Sequence, residues 1–219
     1  DGLNLTYETL DGILKHNGPI SFKVPSYIKN FVDHFQGDLL TNGSLESQIS
    51  SICDDIAYNN NDIDDGLYAN FFKIDDLEHL DLVKVALKKI KISGSYNNFR
   101  IKYELVRNLI KLMIDDLIEN TKKNLEKYKI KTTEDIENCE KKLVCFSEKI
   151  TIQEKKLKEF LKKKMYMHPT IKTMNIKSKK IISDLFELFI KEPDLFPAKL
   201  NLCKDKYETY VSVCDYISG

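Results

Sequence analysis

The densest run of carboxylates in the 219-residue chain lies between Ser50 and Leu67. When this stretch is placed on an α-helix at about 100° per residue, its apolar and acidic residues separate onto opposite sides. The apolar stripe contains Ile49, Ile52, Ile56, Ile63 and Leu67. The opposite stripe contains Asp54, Tyr58, Asn61, Asp62 and Asp65. The pattern therefore predicts a helix with one core face and one concentrated acidic face.

The pattern alone leaves two interpretations of the acidic face open. One is an ordinary solvated helix surface. The other is a cation site, because like charges repel one another and no Lys or Arg occurs between Asp54 and Asp65 to offset them. Tyr58, one turn after Asp54, carries a phenol that can donate to an anion held by such a cation. One helix supplies too few ligands for a hydrolytic metal site, so a metal would need further ligands from other elements.

Three other groups of polar residues favour structural roles. The histidines, which show no H-x-x-x-H spacing and no His-Asp pair, are His16, His34, His79 and His168. We predict surface or helix-capping positions for them. The segment Lys15–Pro19 could bring Lys15 to a phosphate, but a plain helix C-terminus, with basic side chains at the negative end of the dipole, is favoured. The segment Lys155–Lys164 lies on an amphipathic helix that also carries Glu154 and Glu159, and it is typical of a solvated helix face rather than a nucleic-acid surface.

Composition narrows the class of protein. Apolar residues make up 42% and charged residues 31% of the chain, which allows a core and gives no sign of global disorder. The 34 basic and 34 acidic residues cancel, so net charge indicates no partner. Five cysteines without a C-x-x-C pair indicate reduced thiols in a cytoplasmic protein, and no apolar run is long enough to span a membrane. The lack of a phosphate-cradling Gly-rich loop and of G-x-S-x-G disfavours kinase, Rossmann and serine-hydrolase chemistry.

Helical periodicity without strand alternation predicts an all-α protein of nine or ten helices. The central helix, capped by Ser44, should run to about Asn70. The other predicted helices cover 5–14, 27–35, 75–92, 98–125, 147–166, 170–190 and 204–217, and 132–143 is either a short capped helix or a link. Breaks are expected at Lys15–Pro19, Ser93–Ser95, Pro169, Pro193 and Pro197. Residues expected to turn inward from the helix over 170–190 are Ile181, Ile182, Leu185, Phe186 and Phe189.

Four stretches carry a family resemblance. They are Gly2–Leu10 with Lys15–Pro19, Ser47–Gly66 with the motif D-D-I-A-Y-N-N-N-D-I-D-D-G, Leu157–His168, and Cys214–Gly219, which is similar to the start of a D-Y-[IV]-[AS]-G-M-T-D-R segment. Together and in this order they resemble the deoxyguanosinetriphosphate triphosphohydrolase-like branch of the HD-domain phosphohydrolases. The resemblance covers nearly the whole chain. It implies a multi-helical HD-domain-like bundle, with residues 1–92 as the distal part of the core and 93–219 as an associated helical region.

The resemblance also implies a reaction. The family hydrolyses a deoxynucleoside triphosphate to the deoxynucleoside and triphosphate, with a divalent metal such as Mg²⁺ or Mn²⁺ held by His, a His-Asp pair and a distal Asp. By position the distal Asp is Asp54. Tyr58 and Asp62 match positions that contact the substrate, Tyr58 at the phosphates or sugar and Asp62 near the sugar. Lys15 matches a basic position at the phosphates, and relatives often form homo-oligomers.

Two departures qualify what the resemblance implies. The family's His and His-Asp motifs do not occur in this chain, which therefore contributes one metal ligand and no assigned catalytic residue, and we expect an internal or C-terminal fragment. In addition, Asn61 stands where many relatives have His. We therefore expect the isolated chain not to hold the catalytic metal. The alternative is a degenerate helical remnant, or an assembly subunit of an HD-domain protein.

Overall fold

The computed structural model of the chain describes residues 3–21, 32, 35, 37–90, 98–195 and 206–219. Within these residues the structure contains nine α-helices and no strand, so the predicted all-α fold is confirmed. The chain divides into two compact units, Asp1–Lys162 and Lys163–Gly219. Apart from residues 32 and 35, the predicted helix over 27–35 lies outside the described residues, and so do the predicted breaks at Ser93–Ser95 and Pro197. No helix in the described part of the chain is long and apolar enough to cross a membrane.

The first unit contains seven of these helices. They are α1 (Tyr7–Leu14), α2 (Leu45–Tyr68), α3 (Ile74–Leu77), α4 (Asp81–Lys88), α5 (Asn98–Lys127), α6 (Thr133–Glu137) and α7 (Glu148–Leu161). A π-helix, Lys162–Tyr166, follows α7. The second unit contains α8 (Pro169–Lys191), a 3₁₀ turn (Pro193–Leu195) and α9 (Lys206–Ser218).

Helix α2 lies at the centre of the first unit. Ser44 caps it as predicted, since the Ser44 hydroxyl accepts from the backbone N–H of Ser47 at 3.2 Å. The helix packs against α1, α5 and α7. Its buried apolar side chains are Ile52, Ile56, Ile63 and Leu67. Ile49, at the edge of the predicted stripe, is exposed, so the core face begins one turn later than the pattern indicates.

A polar cluster joins α2 to α7. The buried amide of Asn59 donates to Glu154 Oε1 at 3.0 Å. Lys158 Nζ contacts the same Glu154 oxygen at 2.5 Å and Asp55 Oδ1 at 3.1 Å. Burial by itself would lower the pKa of Lys158, but its hydrogen bonds to Glu154 and Asp55 outweigh that effect and raise the pKa above its usual value. Lys158 therefore stays charged at neutral pH, and the contacts of the cluster specify which side of α2 faces α7.

A buried amide also ties α2 to the segment that leads into α7. Gln48 Oε1 accepts from the backbone N–H groups of Leu143 at 3.0 Å and Val144 at 3.2 Å. Gln48 Nε2 donates to the Gly43 carbonyl at 3.0 Å. From the other side, the Asn124 amide of α5 donates to the Leu143 carbonyl at 2.9 Å. This segment, although irregular, thus has its buried backbone groups paired.

Two helix boundaries differ from the prediction. The helix expected from Asp75 or Asp76 through Leu87 is divided into α3 and α4, because the His79 ring contacts the Asp76 carbonyl at 2.8 Å and competes with continuation of the helix. Pro169 does not only interrupt the chain. It is the first residue of α8, where its missing N–H is not needed, and His168 Nδ1 caps the helix by accepting from Thr170 N at 3.3 Å.

The predicted inward face of α8 is wrong for three of its five residues. Ile181, Ile182 and Leu185 are exposed, with Ile181 at 58% and Ile182 at 54%. Phe186 and Phe189 do pack, with ring centroids 5.7 Å from Tyr210 and 5.3 Å from Tyr216 respectively. Within its unit α8 packs against α9 and the 3₁₀ turn, which are too few neighbours to cover such a wide apolar stripe.

We expect Gly66→Ala to destabilise the first unit. A Cβ atom at residue 66 would overlap the ring of Phe72, which is itself buried and packs edge-on against Phe160 with centroids 5.1 Å apart. The overlap should lower the free energy of unfolding by about 1–3 kcal/mol, measured by urea titration with far-UV circular dichroism. The control is Asp64→Ala, at an exposed position of the same helix, which should change it by less than about 0.5 kcal/mol. Unchanged or increased stability of Gly66→Ala would contradict this packing.

Replacing Gln48 by Met should cost more than its change in volume suggests. The substitution keeps an unbranched side chain of similar length but leaves two backbone N–H groups and one carbonyl without their partner. We expect the free energy of unfolding to fall by about 2–4 kcal/mol in the same titration. Glu46→Met, at an exposed position in the first turn of α2, is the matched control and should have little effect. A Gln48→Met protein as stable as the wild type would show that these bonds add nothing.

Candidate functional site

The acidic face of α2 carries three of the four predicted site residues. Asp54, Tyr58 and Asp62 follow one another at intervals of four residues, so they form a row of about 12 Å along the side of the helix. Asp54 and Tyr58 are open to solvent, with 57% of the Asp54 side chain and 67% of Tyr58 exposed. Asp62 is half-buried, and Asn61 beside it is exposed. The row presents two carboxylates and a phenol to anything that approaches this side of the helix.

His16 contacts the first carboxylate of this row. Its Nε2 atom lies 3.1 Å from Asp54 Oδ2, and the imidazole is about one-third exposed, at 33%. A carboxylate can only accept, so Nε2 is the donor. Sequence reasoning placed His16 at the surface or at a helix end and gave it no partner. The partner is 38 positions away, and neither local sequence indicates how α1 lies on α2.

Lys15, the fourth predicted site residue, lies elsewhere. Its side chain is 3% exposed, and its ammonium group forms an ion pair with Asp11 Oδ1 at 2.7 Å. The same ammonium donates to Thr41 Oγ1 at 2.9 Å. The charge of Lys15 is therefore already balanced inside the protein, and the structure does not group it with Asp54, Tyr58 and Asp62.

Two side chains from outside α2 contact carboxylates of this helix. The sequence shows no basic residue between Asp54 and Asp65, but Lys158 of α7 reaches Asp55 and His16 reaches Asp54. Asp55 and Asp54 are adjacent in sequence and are approached from different directions. The Asp55 carboxylate is thus contacted by the Lys158 ammonium and the exposed Asp54 carboxylate by the His16 ring nitrogen.

A shallow cleft of about 480 Å³ lies next to the His16–Asp54 pair. It runs between α1 and the first turns of α2. Its polar lining comes from Thr9, His16, Asn17, Ser47 and Ser50. The Ser47 hydroxyl is used internally, since it donates to the Gly12 carbonyl at 3.0 Å and so joins the two helices. The remaining polar groups can form hydrogen bonds with a ligand, and none of the described residues that line the cleft carries a carboxylate.

Asp54 fits one position in the coordination shell of a hard divalent ion. A solvent-accessible carboxylate oxygen is the ligand type that Mg²⁺ and Mn²⁺ prefer. Among the described residues, no three His, Cys, Asp or Glu side chains cluster closely enough to hold a metal. The described part of the chain therefore contains no complete metal centre.

Part of the chain matches a known protein family. Residues 144–219 match the family described as the phosphohydrolase-associated domain. That match begins at the segment held by Gln48 and includes α7, whose Glu154 and Lys158 contact the site helix.

Curated relatives match over the chain as a whole. A deoxyguanosinetriphosphate triphosphohydrolase-like protein of Caulobacter sp. strain K31 is 35% identical over 227 residues, which cover 100% of this chain and 58% of the relative. Proteins of the same description from Brucella suis strain ATCC 23445 and Bartonella henselae strain Houston 1 are 37% and 39% identical, covering 100% and 90% of this chain. The chain spans about half to three-fifths of these relatives' length, 51% to 58%. Over its whole length the chain is therefore similar to proteins described as deoxyguanosinetriphosphate triphosphohydrolase-like, and its residues 144–219 match the phosphohydrolase-associated domain.

Proposed function

We propose that this chain is part of a metal-dependent hydrolase that converts a deoxynucleoside triphosphate and water into the deoxynucleoside and triphosphate. The observation that carries the proposal is the row of Asp54, Tyr58 and Asp62 on the exposed side of α2. The whole length of this chain matches 58% of a deoxyguanosinetriphosphate triphosphohydrolase-like relative. A solvated acidic face alone would not require a phenol between two carboxylates. The proposed substrate comes from the relatives' description, and the roles of Asp54, Tyr58 and Asp62 follow from the family positions that these residues match.

Each residue of the row has a separate task in this proposal. The divalent ion, when bound, neutralises charge on the phosphate oxygens and polarises the attacking water. Asp54 supplies one carboxylate ligand. The Tyr58 hydroxyl donates to a phosphate or sugar oxygen, and the Asp62 carboxylate accepts from a sugar hydroxyl. In the net reaction, water oxygen bonds to the α-phosphorus, the bond from phosphorus to the 5′ oxygen breaks, and a proton passes to that oxygen.

Lys15 has a structural role in this proposal. For its ammonium to reach a phosphate, the 2.7 Å ion pair with Asp11 would have to open and leave a carboxylate that is mostly buried. Breaking a buried pair in this way is costly. We therefore assign Lys15 to holding the end of α1, and assign substrate contacts to Tyr58 and Asp62.

The remaining metal ligands belong to the part of the relatives' length that this chain does not span. We further propose a cytoplasmic homo-oligomer for the complete enzyme, with residues 1–92 contributing to the catalytic core and 93–219 forming an associated helical region. The competing candidate is a non-catalytic helical subunit or remnant. The lack of a metal-binding cluster among the described residues favours this candidate. Metal binding and dNTP turnover separate it from the enzyme.

The 219-residue chain by itself should bind Mn²⁺ only weakly. One carboxylate cannot replace the water shell of the ion, so we expect no saturable site in the micromolar range by isothermal titration calorimetry, and no triphosphate release from any of the four common dNTPs. An EDTA-treated sample controls for metal carried through purification. Tight binding of one equivalent of Mn²⁺ together with dNTP turnover would contradict the proposal that the site is completed from outside this chain.

In a family-length protein that contains this chain, Asp54→Ala should abolish most triphosphate release. Removing a metal ligand should lower kcat/KM by about 100-fold or more. Tyr58→Phe, which removes one donor and keeps the ring, should instead cost about 10-fold. Asp64→Ala, an acidic residue on the same helix but outside the row, is the matched control and should retain wild-type turnover. Full activity of Asp54→Ala would remove it from the site, and a wholly inactive wild-type protein would favour the non-catalytic candidate.

A further inference from the structure

The contact between His16 and Asp54 adds a residue to the site that the family resemblance did not include. We propose that His16 is a positioning residue, which holds the Asp54 carboxylate in the orientation that binds the divalent ion. The inference rests on the proposed function, because it assigns Asp54 as a ligand. Its basis is the 3.1 Å distance from His16 Nε2, in the turn after α1, to Asp54 Oδ2 on α2, 38 positions away in sequence.

The backbone that carries His16 is held firmly. Lys15, the residue before it, is buried. Its ammonium group forms an ion pair with Asp11 and donates a hydrogen bond to Thr41. The Gly18 N–H donates to the Lys15 carbonyl at 2.8 Å, so the turn after α1 is closed on both sides of His16. A second link, from the Ser47 hydroxyl to the Gly12 carbonyl, joins α1 directly to α2. The imidazole therefore projects from a fixed point relative to the helix that carries Asp54.

An exposed aspartate benefits from such a partner. With more than half of its side chain open to water, Asp54 can adopt several rotamers, and ordering it for a metal costs conformational entropy. A donor on Oδ2 restricts the plane of the carboxylate and leaves Oδ1 for the ion. Outer partners of this kind typically change metal affinity by about 10-fold to 100-fold.

The reverse arrangement is the main competitor. In many metal sites the histidine binds the ion and the carboxylate stands behind it. We favour Asp54 as the ligand because it is the more exposed of the two, at 57% against 33%, and because it begins the row that contains Tyr58 and Asp62. The two arrangements predict different results when His16 is replaced by a side chain that can donate a hydrogen bond to Asp54 but has no imidazole.

The test is the affinity of a family-length protein for Mn²⁺, measured by calorimetry and by the Mn²⁺ signal in electron paramagnetic resonance. His16→Ala should weaken binding by about 10-fold to 100-fold. His16→Gln, whose amide can donate to the same oxygen, should recover affinity to within about threefold of the wild type. In turnover assays His16→Ala should need more Mn²⁺ for half-maximal rate, while its kcat at saturating Mn²⁺ stays within about threefold of the wild type.

Two controls separate positioning from folding. His79→Ala removes an exposed histidine whose ring contacts the Asp76 carbonyl, and it should leave Mn²⁺ affinity unchanged. His16→Leu fills the space of the ring without a donor, so it replaces His16→Ala if the smaller side chain prevents folding, and it should bind as weakly. Urea titration of every variant establishes that it is folded under the assay conditions.

The outcomes separate this inference from the proposed function. Wild-type affinity in His16→Ala or His16→Leu would overturn the positioning role and leave Asp54 as a ligand. A His16→Gln protein as weak as His16→Ala would also overturn it, in favour of direct binding by the imidazole. Wild-type Mn²⁺ affinity in Asp54→Ala would overturn the proposed metal site, and the positioning role with it.

Discussion

The burial of one side of α2 is the constraint on which the candidate site depends. Four apolar side chains, Ile52, Ile56, Ile63 and Leu67, are removed from water, which stabilises this orientation by up to about 6–12 kcal/mol. Rotating the helix by one residue, about 100°, would carry charged groups toward the core. The core thereby determines that Asp54, Tyr58 and Asp62 face outward. The packing of the apolar side of α2 therefore determines which residues its opposite side presents to solvent.

Polar contacts refine this orientation where apolar packing would allow small rotations. Asn59 and Gln48 are buried on α2, and each meets a specific partner, Glu154 and the backbone of Leu143 and Val144 respectively. A buried amide without its partner is costly, so these bonds penalise any other register. The hydrogen bonds of Asn59 and Gln48 therefore fix the rotation of α2, which apolar burial alone would allow to vary slightly.

The phosphohydrolase-associated region takes part in this arrangement. Its match begins at residue 144, and Glu154 and Lys158 within it contact Asn59 and Asp55 on the site helix. The division between the compact units falls later, at Lys162–Lys163, inside the matched region. The first part of this region is therefore structural support for α2, although sequence comparison describes it as a separate family. The predicted division at residues 92 and 93 stays a prediction.

Local sequence was sufficient for most of the helices. The period of apolar residues and the capping serine predicted α2 nearly to its ends, because burial of a stripe and satisfaction of terminal N–H groups are properties of adjacent residues. The same logic predicted α5 over 98–125, and the structure extends this helix two residues further, to Lys127. It failed for Ile181 and Ile182, because a stripe indicates that a surface is apolar and not whether a neighbour covers it.

The composition of the candidate site was divided between sequence and tertiary structure. The sequence by itself determined the row of Asp54, Tyr58 and Asp62, since positions four apart on a helix share a side whatever surrounds them. Only the tertiary structure shows which partners Lys15 and His16 contact. These neighbours in sequence point to different partners, Lys15 to buried Asp11 and His16 to Asp54 on another helix. Contacts across 38 positions depend on how two helices pack, which no local pattern encodes.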